Sequence, residues 1–522
     1  MGDVELILVL LLVSVVVLSA AARAIHVPYP IVLVIGGAVL GLVPWLPDVR
    51  LDPDLVLVLF LPPLLYSAAF FTDLRDLRAN LRVISLQAVG LVLATMVAVA
   101  WVAHGLIDGL SWPAAFALGA IVGPTDPIAG TTIARRLGVP RQMVAVIEGE
   151  SLVNDASALV AYKIALAAAA GSAFSLLDAG WDFAWKAAGG IAVGIAVGWV
   201  IAEVRRRLDD PLVENTIGLL SGYAAYVPAE HLQVSAVLAA VTVGCYLGWQ
   251  APRIASPTTR LQGFGMWELL TFLLNALLFV LIGLQLPAVL DGLGSTPWPT
   301  LVGYGAAVSL AVVLTRLLWG NTVVFVIRAL DRRPSQRARR VGWRLRLVGG
   351  WSGMRGAVSL AAALALPPDF AQRDLLIFLT FTVIFVTLVG QGLTLGPLIR
   401  RLDVGEDGSD DAREELKARL VATKAALARI EELRGEDWTR DDTLERLQLQ
   451  FEYRKRRLAA RAGKAEDDGY EDRSFAYQTI LREILEAQRT EVIRLRNQGT
   501  ISNDVMHRIE RELDLEDERL EI

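Results

Sequence analysis

Cysteine and histidine are scarce in this chain. Cys245 is the only cysteine among 522 residues, so no intrachain disulfide can form. The four histidines, His26, His104, His231 and His507, are scattered and show no zinc spacing. Charge is also missing over long stretches. Between residues 4 and 400 the sequence runs in apolar blocks of roughly 17–25 residues, the length a helix needs to cross a bilayer. The chain is 54% hydrophobic with a mean hydropathy of +0.48, more apolar than soluble domains of this length. Only the last part, about 403–522, is charged and polar throughout. The net charge of −5 averages these unlike regions and describes neither. The expected class is an all-α membrane protein, with a transmembrane domain over 1–402 and a helical soluble tail over 403–522.

About thirteen spans are expected, near residues 4–22, 27–44, 55–71, 83–104, 111–135, 141–170, 183–204, 212–229, 233–249, 264–286, 299–327, 345–366 and 374–399. The first opens with Asp3 and Glu5 rather than lysines and is long for a cleaved signal, so it is expected to be retained. Basic residues orient the chain. With the N-terminus outside, the inner connections hold twenty arginines, eight of them between Arg328 and Arg346. The outer connections hold Arg50, Lys186 and Arg373 alone. Positive charge concentrates on the cytoplasmic side, which makes the tail cytoplasmic and the location the plasma (inner) membrane.

Two spans are interrupted. The fifth contains Gly123-Pro124-Thr125-Asp126-Pro127 and the twelfth Gly349-Gly350-Trp351-Ser352-Gly353-Met354-Arg355-Gly356. Proline removes an amide donor and clashes with the preceding turn, and glycine favours no helix. The interruptions recur at matching places in two halves, spans 1–6 and 8–13, that would run in opposite senses. Inverted repeats with paired broken helices point to a transporter's binding site near the bilayer midplane. Simple kinks, which membrane helices tolerate, would leave the charges at both places unexplained.

The sixth span reads Glu148-Gly149-Glu150-Ser151-Leu152-Val153-Asn154-Asp155. A charge at the bilayer centre costs about 2.5–3.5 kcal/mol on insertion scales, so three carboxylates here need a reason. Helical spacing puts Ser151 and Asp155 on one face with Glu148 a turn earlier, and Glu150 and Asn154 on an adjacent stripe. Unwinding in the fifth span frees carbonyls beside Thr125 and Asp126. Asp155, Ser151, Asp126 and Thr125 then form an all-oxygen site for a hard monovalent cation, whether sodium, lithium or potassium. Burial disfavours an ionised carboxylate, so Asp155 is expected to be neutralised by a proton or by a cation, one expelling the other. Arg355 is expected to pair with Glu150 or Glu148 and to tie the halves together. Lys163 is placed at an outer helix end. Arg316 is expected to snorkel or to pair within span eleven. Glu268 is either a helix-end carboxylate or a cation attractor in an inward funnel.

In the tail, residues 411–434 and 474–495 have helical periodicity, with breaks at Asp437–Asp442 and Gly463–Asp472. A helical hairpin or dimer contact is the simplest expectation, with ligand sensing as the alternative. No phosphate loop, nucleophile–base pair or metal set occurs there, which argues against a receptor or enzyme, and nothing points to nucleic acid.

Four strings, in order, carry a resemblance: Gly123-Pro-Thr-Asp-Pro-Ile-Ala129, Glu148-Gly-Glu-Ser-Leu-Val-Asn-Asp-Ala-Ser-Ala-Leu159, Asn275-Ala-Leu-Leu-Phe-Val-Leu-Ile-Gly283 and Gly350-Trp-Ser-Gly-Met-Arg-Gly-Ala-Val-Ser-Leu360. Over roughly residues 4–400 the chain resembles the sodium/proton exchanger branch of the monovalent cation/proton antiporters. The tail is similar to those of bacterial members with long cytoplasmic extensions. The resemblance implies a homodimer with a dimerisation domain and a six-helix core, built from spans 4–6 and 11–13, that moves like an elevator. It implies two crossed, broken helices and no cofactor beyond the transported Na+ (or Li+ or K+) and H+. Asn154-Asp155 resembles the pair typical of electroneutral one-for-one exchange. Asp155 is then the carrier, Thr125 and Asp126 belong to the ion site, and Asn154, Glu150 and Arg355 organise the core. Ser67 departs from the pattern, standing where many relatives have a carboxylate that contributes to cation binding. Ser67, Glu148 and Glu268 are the accessory candidates. The alternatives are a potassium/proton antiporter or a cation channel with a regulatory tail.

Overall fold

The computed structural model describes residues 2–43, 56–169, 176–294, 296–330, 341–405, 409–461 and 470–518. Arg50 and the five arginines between 332 and 340 lie outside the described residues, as does most of the Gly463–Asp472 break. Every described residue in a regular element is helical. The first helices are α1 (Gly2–Ala24), α2 (Tyr29–Gly41) and α3 (Leu61–Phe71), the last entered through a wide turn at Val56–Phe60. Helix α4 (Leu74–Leu106) carries a wide turn at Leu86–Leu91. The fifth segment is split into α5a (Trp112–Ile121) and α5b (Pro127–Arg136). Then come α6 (Arg141–Ala169), α7 (Leu176–Arg205), α8 (Pro211–His231), α9 (Ala236–Ile254), α10 (Pro257–Leu284) and α11 (Trp298–Leu330). The twelfth segment is split into α12a (Trp343–Trp351) and α12b (Ala357–Leu364). Helix α13 (Arg373–Leu402) has a wide turn at Val386–Gln391.

Local chemistry sets many of these starts. Asp73, Ser111, Asp126, Asp210, Ser235 and Ser256 each accept a backbone N–H of the first turn of the helix they precede, satisfying donors that a helix N-terminus leaves open. Among the described residues, six helices are long and apolar enough to cross a membrane by length and composition alone: α4, α6, α7, α10, α11 and α13. Large apolar side chains on their outer faces, such as Trp199, Leu318 and Val97, are more than half exposed. An apolar exterior on this scale marks a lipid-facing surface.

Small residues set the closest helix contacts. Helices α2 and α10 meet at Gly37 and Gly283. A Cβ on Gly37 would run into the Val280 carbonyl, and one on Gly283 into the Val34 carbonyl. These neighbours are backbone and cannot rotate away. Gly283→Leu is therefore expected to lower stability by about 1–3 kcal/mol or more, read as a lower thermal unfolding midpoint of the detergent-purified protein. An unchanged midpoint would mean that this contact has slack.

The chain divides into two compact units, Met1–Gly405 and Glu406–Ile522. In the second, α14 (Ser409–Leu433) packs on α15 (Asp441–Arg461), and α16 (Tyr470–Asn497) packs on α17 (Asn503–Glu518). Leu485 and Leu513 form the small core of the latter pair, and Arg489 donates to Asp514 at 2.8 Å and Asp517 at 3.1 Å. Helices α14 and α16 fall on the two expected periodic stretches. Helices α15 and α17 were not expected, because their apolar positions are few among charges.

Candidate ion-binding site

The two split segments meet at their interruptions. The backbone N–H of Asp126 donates to the Met354 carbonyl at 2.8 Å, joining residues 228 positions apart. Asp126 caps α5b, accepting from the Ile128 N–H at 2.9 Å, and Gly356 leaves no room for a Cβ beside the Asp126 carboxylate. A helix that ends inside the protein leaves carbonyls unsatisfied. Arg355, fully buried, meets this need, donating from Nη1 to the carbonyls of Gly123 and Pro124, the latter at 2.7 Å. Its positive charge sits where the end of α5a carries partial negative charge. The wide turn of α13 completes the junction, since Thr387 Oγ1 accepts the Arg355 N–H at 3.1 Å.

This geometry corrects one expectation. Arg355 hydrogen-bonds neither Glu150 nor Glu148. Glu150, also buried, is held by Arg316 of α11, through two donors, one of them Nη2 at 3.1 Å. Glu148 accepts from Arg135 at 2.6 Å. The broken backbone competes for Arg355 because its free carbonyls lie in the same break region. Arg316 neither snorkels nor pairs within its own span. It reaches across to α6, and its Nη2 also donates to the Gly349 carbonyl at 3.3 Å. Lys163 is exposed, six residues before the end of α6, and lies 3.8 Å from Glu230 in the last turn of α8.

The two polar stripes of α6 face different surroundings. Glu150 and Asn154 are buried against the broken helix. Asn154 Nδ2 donates to Thr125 Oγ1 at 2.7 Å, and Thr125 Oγ1 lies 3.4 Å from both Glu150 Oε1 and Ser151 Oγ. Thr125 is the hub of this network. Glu148, Ser151 and Asp155 instead line a cavity of about 520 Å³, together with Thr125 and Asp126. The structure thus brings Asp155, Asp126, Ser151 and Thr125 to one cavity. Ser67, Glu148 and Glu268 line it too. Ser67 Oγ donates to the Leu64 carbonyl at 3.0 Å, so its oxygen lone pairs remain usable toward the cavity.

One wall of the cavity is polar and belongs to the broken segments and α6. The wall from α3 and α10 is mostly apolar, with Leu64, Phe71, Phe264 and Trp267 among its residues, and carries Ser67, Glu268, Thr271 and Asn275 as its polar groups. Thr72 and Arg135 also line the cavity, close in sequence to Arg75 and to Arg136 and Arg141. Asn275 and Thr131 are further polar lining residues that sequence reading did not single out. Among the described residues, no three His, Cys, Asp or Glu side chains are grouped to hold a metal ion in the usual way. The side-chain oxygens of the four grouped residues are the carboxylates of Asp126 and Asp155 and the hydroxyls of Ser151 and Thr125.

Residues 8–401 match the family described as sodium/hydrogen exchanger, transmembrane. The chain belongs to this family. The exchanger is 35% identical over 528 residues to an uncharacterized Na+/H+ exchanger of Mycobacterium tuberculosis, covering 98% of this chain and 96% of that one. It is 33% identical over 411 residues to the Na+/H+ antiporter ApNhaP of Aphanothece halophytica, covering 78% and 75%. Its fold is similar to that of the sodium proton antiporter MjNhaP1 from Methanocaldococcus jannaschii, with a TM-score of 0.61 at 19% identity, over 77% of this chain and all of that one. The exchanger is an all-α, multi-pass membrane protein with bent helices, and its family is one of transporters, not enzymes. Its activity is secondary-active exchange of Na+ or a related cation for H+.

Proposed function

We propose that the exchange runs by competition at Asp155: a cation or a proton neutralises the carboxylate, and each expels the other. The observation that carries this reading is the single cavity that reaches Asp155, Asp126, Ser151 and Thr125 together. Charge counting supports one-for-one exchange. With the Arg135–Glu148 pair self-neutral and Glu268 exposed to water, the inner groups are Arg316 and Arg355, two positive charges, and Glu150, Asp126 and Asp155, three negative ones when ionised. One added positive charge balances the set, and a proton or a monovalent cation serves equally. Both loaded forms are then neutral and able to move through a low-dielectric surround.

The split between a polar wall and a mostly apolar wall suits alternating access. The polar wall, with the broken helices, slides against α3 and α10, as the elevator motion requires. The cavity borders the arginine-rich connections, which corresponds to an inward-facing state if thirteen spans cross with the N-terminus outside and the tail in the cytoplasm. Inverted halves, a homodimer and a location in the plasma membrane complete the proposal. Glu150, Asn154 and Arg355 act as organisers, since each holds the broken segment. The tail helices pack in pairs, which suits a regulatory or assembly role. Sodium is the first cation to test, as ApNhaP bears the name of a Na+/H+ antiporter; potassium and lithium are the alternatives.

The test is proton movement in liposomes containing the purified protein, under imposed sodium, lithium or potassium gradients, with and without a potassium ionophore. Cation gradients should drive proton movement of opposite direction, and clamping the voltage should leave the rate unchanged. Proton movement that follows the imposed voltage would replace this reading with a channel or an unequal exchange ratio.

A further inference from the structure

The competition at Asp155 leaves unused an ion pair at the edge of the same cavity. Arg135, in the last turn of α5b, donates to Glu148 Oε1 at 2.6 Å. The Arg135 side chain is 63% exposed and that of Glu148 28%, so the pair lies at the boundary with water. Both residues line the cavity that holds Asp126 and Asp155.

Two neighbouring helices arrange these four residues as a ladder. Helix α5b runs from its cap, Asp126, to Arg135. Helix α6 carries Glu148 and, seven residues on, Asp155, about 10 Å further along its axis. One rung is the ion site and the other is the ion pair. Asp126 and Arg135 are the two ends of one short rod, so a shift of α5b at the ion site is transmitted to the pair. Glu268 of α10 faces the same cavity from the other wall.

As a fastener the pair would contribute little, because exposed ion pairs are weakened by water and by the entropy of two long side chains. Helices α5b and α6 already pack on one another, and Asn154 holds Thr125 just ahead of the Asp126 cap. Its position matters more. A cation travelling to Asp155 passes a carboxylate that a guanidinium already occupies. A free carboxylate there would raise the local cation concentration, and a free guanidinium would lower it.

We infer that Arg135 and Glu148 form a charge gate that sets the cation affinity of the exchanger. Arg135 competes with the incoming cation for Glu148, and the cation displaces it on the way to Asp155. This rests on the exchange reading above.

The test is the cation KM of proton movement in liposomes at one fixed pH. Arg135→Gln leaves Glu148 free and should lower KM roughly threefold or more, the size expected for one charge about 10 Å from the site. Glu148→Gln leaves Arg135 unopposed and should raise KM by a similar factor. Removing both charges should return KM towards the wild-type value, and Arg135→Lys should stay near it. Choline chloride added at high ionic strength should shrink the spread between variants. A pair that only fastens the helices would move both single variants in the same direction and lower their unfolding midpoints together, which would overturn the gate. So would an unchanged KM in Arg135→Gln alongside saturable wild-type exchange. A wild-type protein without cation-driven proton movement would end the exchange reading and the gate with it.

Discussion

Liposomes carrying the Asp155→Asn variant should move no more protons under a sodium gradient than empty ones. The expected loss is about 100-fold or greater, because the substitution removes both halves of the cycle. An amide binds no proton near neutral pH, so the proton-loaded form cannot be made. It also offers a hard cation a neutral oxygen in place of a carboxylate, in a cavity where charge is needed to replace water. Asparagine keeps the size and shape of aspartate, so the helix and its packing are retained. Asp126→Asn is the informative partner. Asparagine caps a helix about as well as aspartate, so α5b should remain in place, with the Ile128 N–H donating to the side-chain oxygen at position 126 as before. That variant should keep exchange with a weaker hold on the cation. Exchange at the wild-type rate in Asp155→Asn would reject the competition, and equal loss in both variants would assign the carrier role to the carboxylate pair.

The separation of these roles is partly legible in the sequence. The run Glu148 to Asp155 has helical spacing, and spacing alone places Ser151 and Asp155 together and Glu150 with Asn154. The structure has Glu148, Ser151 and Asp155 on the cavity and Glu150 and Asn154 in the packing behind it. The breaks were legible for a similar reason. Pro124, Pro127 and the glycines from 349 to 356 act locally, on the backbone they belong to. Partner choice was not legible. Arg355 was expected to seek a carboxylate, since charge attracts charge, but broken helices expose carbonyls at the same spot, and these took it. Nothing in the spacing of α11 says that Arg316 faces α6, because helical periodicity gives a side of the helix and not the neighbour that fills it. The mostly apolar wall from α3 and α10 was hidden likewise, as Leu64, Phe71 and Phe264 are unremarkable residues for a membrane span. In the tail, α15 and α17 carry too few apolar residues to stand out, and their helicity shows only once they are paired.

The reassigned pair gives the second large effect, a fall of about 3–5 kcal/mol in stability for Arg316→Ala. Both members are nearly inaccessible, with side-chain exposures of 5% for Arg316 and 2% for Glu150. Removing the guanidinium strands a carboxylate that water cannot reach. Thr125 offers Glu150 only one hydroxyl, at 3.4 Å, too distant to compensate. Purified Arg316→Ala should therefore unfold at a much lower temperature or fail to accumulate in the membrane. A second change decides the cause. Glu150→Gln removes the stranded charge and keeps the side-chain shape, so the double variant should recover much of the lost stability. The same Glu150→Gln change should not rescue Arg355→Ala. Arg355 holds the carbonyls of Gly123 and Pro124, and neutralising a carboxylate on α6 does nothing for two unsatisfied carbonyls in the break between α5a and α5b. Rescue of Arg355→Ala by Glu150→Gln, with none for Arg316→Ala, would return Glu150 to Arg355 and overturn the arrangement. A wild-type unfolding midpoint in Arg316→Ala would show that Glu150 needs no buried partner.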